Sequence, residues 1–143
     1  MKKVIALVTV VMALASTAAF AEGVTPVKLS LFPGVAVPSA MTVHGLDLGI
    51  IASKPDEVQG VQLAWIYAGA SKKMVGLQSG LVASATSMTG LQYGFYNTSE
   101  DVHGVQLGFI NVAEKMKGLQ IGLVNVIKKD GWLPFMVIIN GSF

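Results

Sequence analysis

The chain has 143 residues, ten lysines, eight acidic residues, two histidines and no cysteine. That length suits one modest domain, and the missing cysteine removes both disulfides and a cysteine-linked lipid as ways to hold or anchor it. There is no arginine, so the forks that grip phosphate and guanine are absent, and no nucleic-acid partner is expected.

The first residues, Met1-Lys2-Lys3, are followed by an apolar run from Val4 to Leu14 and by Ala19-Phe20-Ala21. This is the pattern of a cleaved signal peptide over 1–21: a charged start, an apolar stretch and a small-x-small cut site. The apolar run is shorter than the ~20 residues of a spanning helix. Losing Lys2 and Lys3 leaves eight lysines against eight acids, so the mature chain 22–143 is formally neutral.

Residues 22–44 contain Val27, Leu29 and Leu31 alternating with Lys28 and Ser30, a strand pattern punctuated by Pro26, Pro33 and Pro38. They are expected to form an N-terminal cap. Residues 45–130 repeat one unit, with starting glycines at Gly45, Gly60, Gly76, Gly90, Gly104 and Gly118. Two clear copies are Gly104-Val-Gln-Leu-Gly-Phe-Ile-Asn111 and Gly118-Leu-Gln-Ile-Gly-Leu-Val-Asn125. Counting the glycine as position 1, positions 2, 4 and 6 are mostly apolar. Position 3 is Asp47 and then Gln62, Gln78, Gln92, Gln106 and Gln120; position 5 is glycine or alanine. Position 8 becomes Asn97, Asn111 and Asn125, and the residue two before each glycine is Val or Met. Agreement over so many columns marks a true repeat. The alternation has period two, so each copy carries a strand, and the polar stretches between copies read as turns. Residues 131–143 break the pattern and form a C-terminal strand ending on Phe143.

The expected fold is all-β, with six strand-turn repeats of ~14 residues stacked as a small β-solenoid with terminal caps. In that arrangement Leu119, Ile121, Leu123 and Met116 fill a thin core, Gln120 joins an exposed glutamine ladder, and the asparagines stack at a corner. The alternative is an up-and-down antiparallel barrel or sheet of about eight strands. Phe143, with Ile139, Val137 and Phe135 on the same parity, resembles the closing strand of an outer-membrane barrel. Against a spanning barrel, three apolar residues at ~6.7 Å spacing fall short of its ~25 Å apolar band. Position 7 is apolar too, from Ile51 to Val124, which points to a covered or membrane-adjacent face.

The Gly-Leu-Gln-Ile-Gly-Leu-Val-Asn unit, with the ending Leu133-Pro-Phe through Ile139-Asn140 to Phe143, resembles the leptospiral-type surface-repeat proteins. Those are exported bacterial proteins built on Gly-Leu-Gln-x-Gly-Leu-x-Asn units. The resemblance runs from about Leu29 to Phe143, and Asp47, Ala64, Trp65 and Ser79 depart from the unit. It implies a Gram-negative cell-surface or outer-membrane setting, and no particular activity.

No constellation for catalysis emerges. His44 and His103 sit four units apart, about 19 Å at ~4.8 Å per coil, too far to share a metal. Asp56-Glu57 and Glu100-Asp101 are expected to be solvated turn acids, without the burial or close charge that general acid–base chemistry needs. No enzyme, metal site or cofactor is therefore expected. The only binding candidates are Gln62, Gln78, Gln92, Gln106 and Gln120, as an exposed ladder facing a surface polymer such as a glycan. The expected function is a non-catalytic structural or interaction module at the cell surface or outer membrane, or in the periplasm. Its expected partners are the outer membrane or a surface polymer. The alternative is a small outer-membrane barrel acting as pore or anchor.

Overall fold

In the computed structural model the repeats stack in parallel, each copy on the one before. The model describes Lys2, Lys3, Ala6 and residues 23–37 and 39–143. The expected signal peptide and its cut site lie outside the described residues, apart from those first three. The elements are β1 (Val24–Phe32), β2 (Val35–Val37), β3 (Thr42–Gly49), β4 (Ala52–Ser53), β5 (Glu57–Ala64), β6 (Tyr67–Ser79), β7 (Val82–Lys129) and β8 (Phe135–Ser142). They build a β-solenoid of about five turns.

The register follows the sequence columns. Gly45 pairs with Gly60, Gly60 with Gly76, and Gly76 with Gly90 while Gln78 pairs with Gln92. These ladders are parallel, so the antiparallel barrel or sheet is not the fold. Each coil also has two walls rather than one strand and a turn. After the first wall the chain bends and ladders again, as in Tyr67↔Val82 and Ala70↔Ala85. Stretches read as turns, such as Thr98–Asp101, are thus part of the continuous β7. The long Gly60 coil places its extra residues at the bends, one before Tyr67 and one between Ala70 and Lys73, where they leave the stacking undisturbed.

The segment expected as a cap is itself a rung. β1 pairs in parallel with β3, with Lys28 opposite Asp47 and Leu29 opposite Leu48. Antiparallel strands close both ends. β2 folds back on β1, and β8 covers the last coil, with Gln120 opposite Asn140. An open parallel edge is a template for another chain, and these reversed strands remove it.

Side chains point the opposite way to expectation. The Val/Met column, the glycines and position 3 face inward, while positions 2, 4 and 6 face outward. Val43, Val58, Met74, Met88, Val102 and Met116 form the apolar core with Ala70, Ala85, Ala113 and Ile127 from the other wall. Leu119, Ile121 and Leu123, expected inside, are outside. The reason is volume. Walls separated by interdigitated large side chains stand ~10 Å apart, whereas glycine and alanine columns let these walls close. The first wall then contributes one Met or Val and one glutamine per coil to the interior, packed against the smaller columns and Ile127 of the second wall.

The starting glycine is required for the close stacking of successive coils. Gly104 has φ 142°, a backbone region disfavoured for other residues. A Cβ there would also collide with the carbonyl oxygen of Gly90 in the coil beneath. Gly104→Ala is expected to cost about 3 kcal/mol or more, from strain plus separation of two coils. Urea unfolding would measure it, and a loss under ~0.5 kcal/mol would mean the coils do not approach so closely.

Candidate functional site

The five candidate glutamines lie together in one column, but inside the solenoid. Gln62, Gln78, Gln92, Gln106 and Gln120 are each 0% exposed, which corrects the expectation of an exposed ladder. They cannot face a polymer because their amides are committed to one another. Gln78 Nε2 donates to Gln62 Oε1 at 2.8 Å, Gln92 to Gln78 at 2.8 Å, Gln106 to Gln92 at 2.6 Å and Gln120 to Gln106 at 2.8 Å. The second hydrogen of each amide crosses to a main-chain carbonyl of the opposite wall, as from Gln62 to Gly69 O at 2.7 Å and Gln120 to Val126 O at 3.0 Å. A buried amide needs such partners, since leaving one unpaired costs about 1–3 kcal/mol.

Asn97, Asn111 and Asn125 form a second buried ladder. It runs the other way: Asn97 Nδ2 donates to Asn111 Oδ1 at 2.7 Å, and Asn111 Nδ2 to Asn125 Oδ1 at 2.9 Å. The two rows of amide dipoles therefore oppose each other. Each row ends on a buried oxygen with no hydrogen-bond partner among the described residues, Gln120 Oε1 and Asn97 Oδ1.

The glutamine row starts on a carboxylate. Gln62 Nε2 donates to Asp47 Oδ2 at 2.8 Å, and Ser53 Oγ lies 2.8 and 2.7 Å from the two Asp47 oxygens. Ser30 Oγ is 3.1 Å from Ser53 Oγ. Lys28 continues the column into β1, buried at 4% exposure, and its Nζ donates to Ala40 O at 2.8 Å. Burial pushes the Asp47 carboxyl above its ordinary 3.8, against the pull of the Ser53 and Gln62 hydrogen bonds and the Lys28 charge. Burial pulls Lys28 below its ordinary 10.5, against the Asp47 and Asp56 charges. Sequence reading missed Lys28, Ser30 and Ser53. The available signal was the match of Val27, Lys28 and Leu29 to positions 2, 3 and 4, hidden by Pro26 standing near the glycine column.

With polar groups turned inward, the outer surface of the first wall is apolar. Position 4 supplies Leu63, Tyr93 and Ile121; position 6 supplies Ile50, Trp65, Leu81, Phe95, Phe109 and Leu123. All are exposed, and Trp65 reaches 84%. Phe95 and Phe109 stack at 4.8 Å between ring centroids. Between these two ridges runs a groove of about 710 Å³, floored by Gly80, Gly94, Gly108 and Gly122 and closed at one end by Ile138. It is continued toward the N-terminal end by a second groove, of about 500 Å³, beside Leu29, Leu48 and Ile50. Ile138 has φ 74°, rare for a β-branched residue, at the register shift of β8.

Charge is kept elsewhere. No charged residue occupies position 2, 4, 6 or 7 of any coil. Lys54, Glu100, Glu114 and Lys128 line a separate groove of about 410 Å³ on the second wall. Ion pairs there join successive coils, Lys72–Asp56 at 3.0 Å and Lys129–Glu114 at 2.7 Å. These hydrogen-bonded pairs raise Lys72 and Lys129 and lower Glu114 from their ordinary values. His44 and His103 are both exposed, and His103 Nδ1 lies 3.6 Å from Asp101. Among the described residues no three His, Asp or Glu side chains gather as metal ligands, and no helix is long and apolar enough to cross a membrane. Comparison with family models, with curated proteins and with solved structures finds no match to this chain.

Two expectations follow. Gln92→Met leaves Gln78 Oε1 and Gln106 Nε2 without their side-chain partners and should cost roughly 2–4 kcal/mol, whereas Gln120→Met strands one partner and should cost about half as much. Equal urea midpoints for the two variants would refute the ladder account. For Asp47, the folded chain holds its proton to higher pH than the unfolded chain. Its contribution to stability is therefore fullest below 3.8 and declines as pH rises from there through the raised folded pKa. The lowered Lys28 pKa acts oppositely, with stability recovering as pH climbs toward 10.5. Asp47→Asn should remove the decline that sets in above pH 3.8. Parallel stability curves for the two proteins across that range would contradict it.

Proposed function

We propose that this chain is a non-catalytic, exported module of the bacterial envelope that works by surface contact. The observation that carries the reading is the apolar strip along the outer wall, from Ile50 to Leu123, with no charged residue at positions 2, 4, 6 or 7 and with Lys117, His44 and His103 only at its border, just before the starting glycines. Isolated exposed apolar residues are ordinary, but a strip spanning the whole molecule marks an interaction surface. The polar interior supports the same reading. Its glutamine and asparagine amides are spent on one another, and its buried carboxylate is used as the acceptor that starts a ladder. None of them faces a cleft. The leader pattern over 1–21 and the resemblance to exported surface-repeat proteins support an envelope setting, on the cell surface, at the outer membrane or in the periplasm.

The test is processing and fractionation in a Gram-negative host. The expected product begins at Glu22 by mass spectrometry and is recovered with the envelope or periplasmic fraction. Ala19→Arg with Ala21→Arg should block the cut. An uncut chain in the cytosol of the wild type would overturn the reading.

A further inference from the structure

Building on the contact-module reading, we infer that the apolar edge of the solenoid is a docking surface for a lipid bilayer, with the polar wall left in water. Three features select lipid over a protein partner or a second copy.

The first is shape. The apolar strip does not stop at the first wall. It turns the corner, because positions 6 and 7 are consecutive and both point outward: Ile50 with Ile51, Trp65 with Ile66. The later copies continue this pattern with half-buried residues at position 7, such as Tyr96 and Ile110. The strip is thus convex at this corner, an apolar ridge beside the shallow groove between positions 4 and 6. A flat partner or second copy could cover one side of a ridge and would leave the other in water. A fluid hydrocarbon phase can cover both.

The second is chemistry. Protein interfaces carry about one hydrogen bond per 100–200 Å² and a polar rim. Along this ridge, the main groove offers only the hydroxyls of Ser79 and Tyr93 and the indole N–H of Trp65 as side-chain hydrogen-bonding groups. The backbone behind it is paired in the parallel ladders. Hydrocarbon demands such a surface, because an unpaired polar group in lipid has no water to turn to.

The third is size. Seven rungs at ~4.8 Å give a strip about 30 Å long, and outward positions at ~6.7 Å spacing give each side a width of ~13 Å. The projected footprint of one side is therefore about 400 Å². The arrangement is the β counterpart of an amphipathic helix lying in the interface, with its apolar face ~5–10 Å deep.

The experiment uses the processed chain with vesicles of phosphatidylethanolamine and phosphatidylglycerol. A Trp132→Phe form leaves Trp65, at the ridge, as the only tryptophan. Its emission should shift to the blue on adding vesicles and be quenched by lipids brominated along the acyl chains. Phe95→Ser with Phe109→Ser and Leu123→Ser should lower the fraction floating with vesicles at least tenfold, with an unchanged circular dichroism spectrum. Lys115→Gln with Lys129→Gln, on the opposite side, should change it less than twofold.

Trp65 that stays in water while vesicles are in excess overturns the inference. So does a lipid-free dimer that already buries Trp65, which would assign the ridge to a second copy. The Trp65 readout needs no change to the ridge, so misfolding of the serine variant does not decide the question. A chain that is exported but ignores vesicles removes lipid docking and leaves the contact-module reading intact. An uncut cytosolic chain removes that reading whatever the vesicles show.

Discussion

A buried glutamine amide in this fold depends on the side chain stacked against it in the neighbouring coil, a glutamine or, for Gln62, the carboxylate of Asp47. Each Gln Nε2 bonds the coil beneath and the wall opposite at once. Displacing a coil by one residue would turn every amide out of the row and leave several buried polar groups unpaired, each at about 1–3 kcal/mol. The ladder thereby fixes the parallel register. It also fixes the thickness of the molecule, since the side chain must reach from one wall to a carbonyl of the other. The glycine columns act along the stack, because a Cβ at a starting glycine would meet the carbonyl oxygen of the glycine one coil below.

An internal amide row has two ends, and the chain treats them differently. At the N-terminal end a carboxylate, which only accepts, replaces glutamine and takes the final N–H from Gln62. The cost is a buried charge, answered by Ser53 and, at longer range, by Lys28. At the C-terminal end the row stops beneath β8. Asn140 lies opposite Gln120 there but donates to Leu133 O instead, and Gln120 Oε1 goes without a partner. Stability in such a stack is a sum of neighbour contacts. Both ends are therefore its weak points, and an antiparallel strand closes each of them.

Turning the glutamines inward has a consequence for the outside. In a two-walled coil with strict alternation, inward polar columns force the intervening apolar columns outward. The exposed ridge is thus a structural consequence of the ladder as well as the proposed contact surface. Its side chains contribute little to the core, so the outer wall is free to serve contact. Keeping Lys54, Lys72, Glu114 and Lys128 off the ridge is a separate feature that the ladder does not require.

Taken alone, the sequence determined the unit and its columns, and it left parallel stacking and antiparallel pairing as alternatives that only the ladders decided. Glycine, glutamine and asparagine recur at fixed positions, and equivalent residues meet in the parallel register. It also identified Met116 as core and the asparagines as a stacked row, because those follow from period and residue type. The sequence did not decide which face of the strand is inside. Alternation fixes that Gln120 and Ile121 point to opposite sides, but it does not say which side is enclosed. The assumption that the apolar side must be the core placed Leu119, Ile121 and Leu123 on the wrong side. Lys28 and Ser53 were missed because their partners are defined by stacking between coils rather than by neighbours along the chain. Only the tertiary structure settled these points, by showing how close the two walls come. At that separation there is room for one glutamine and one methionine or valine per coil from the first wall, and none for three large apolar side chains.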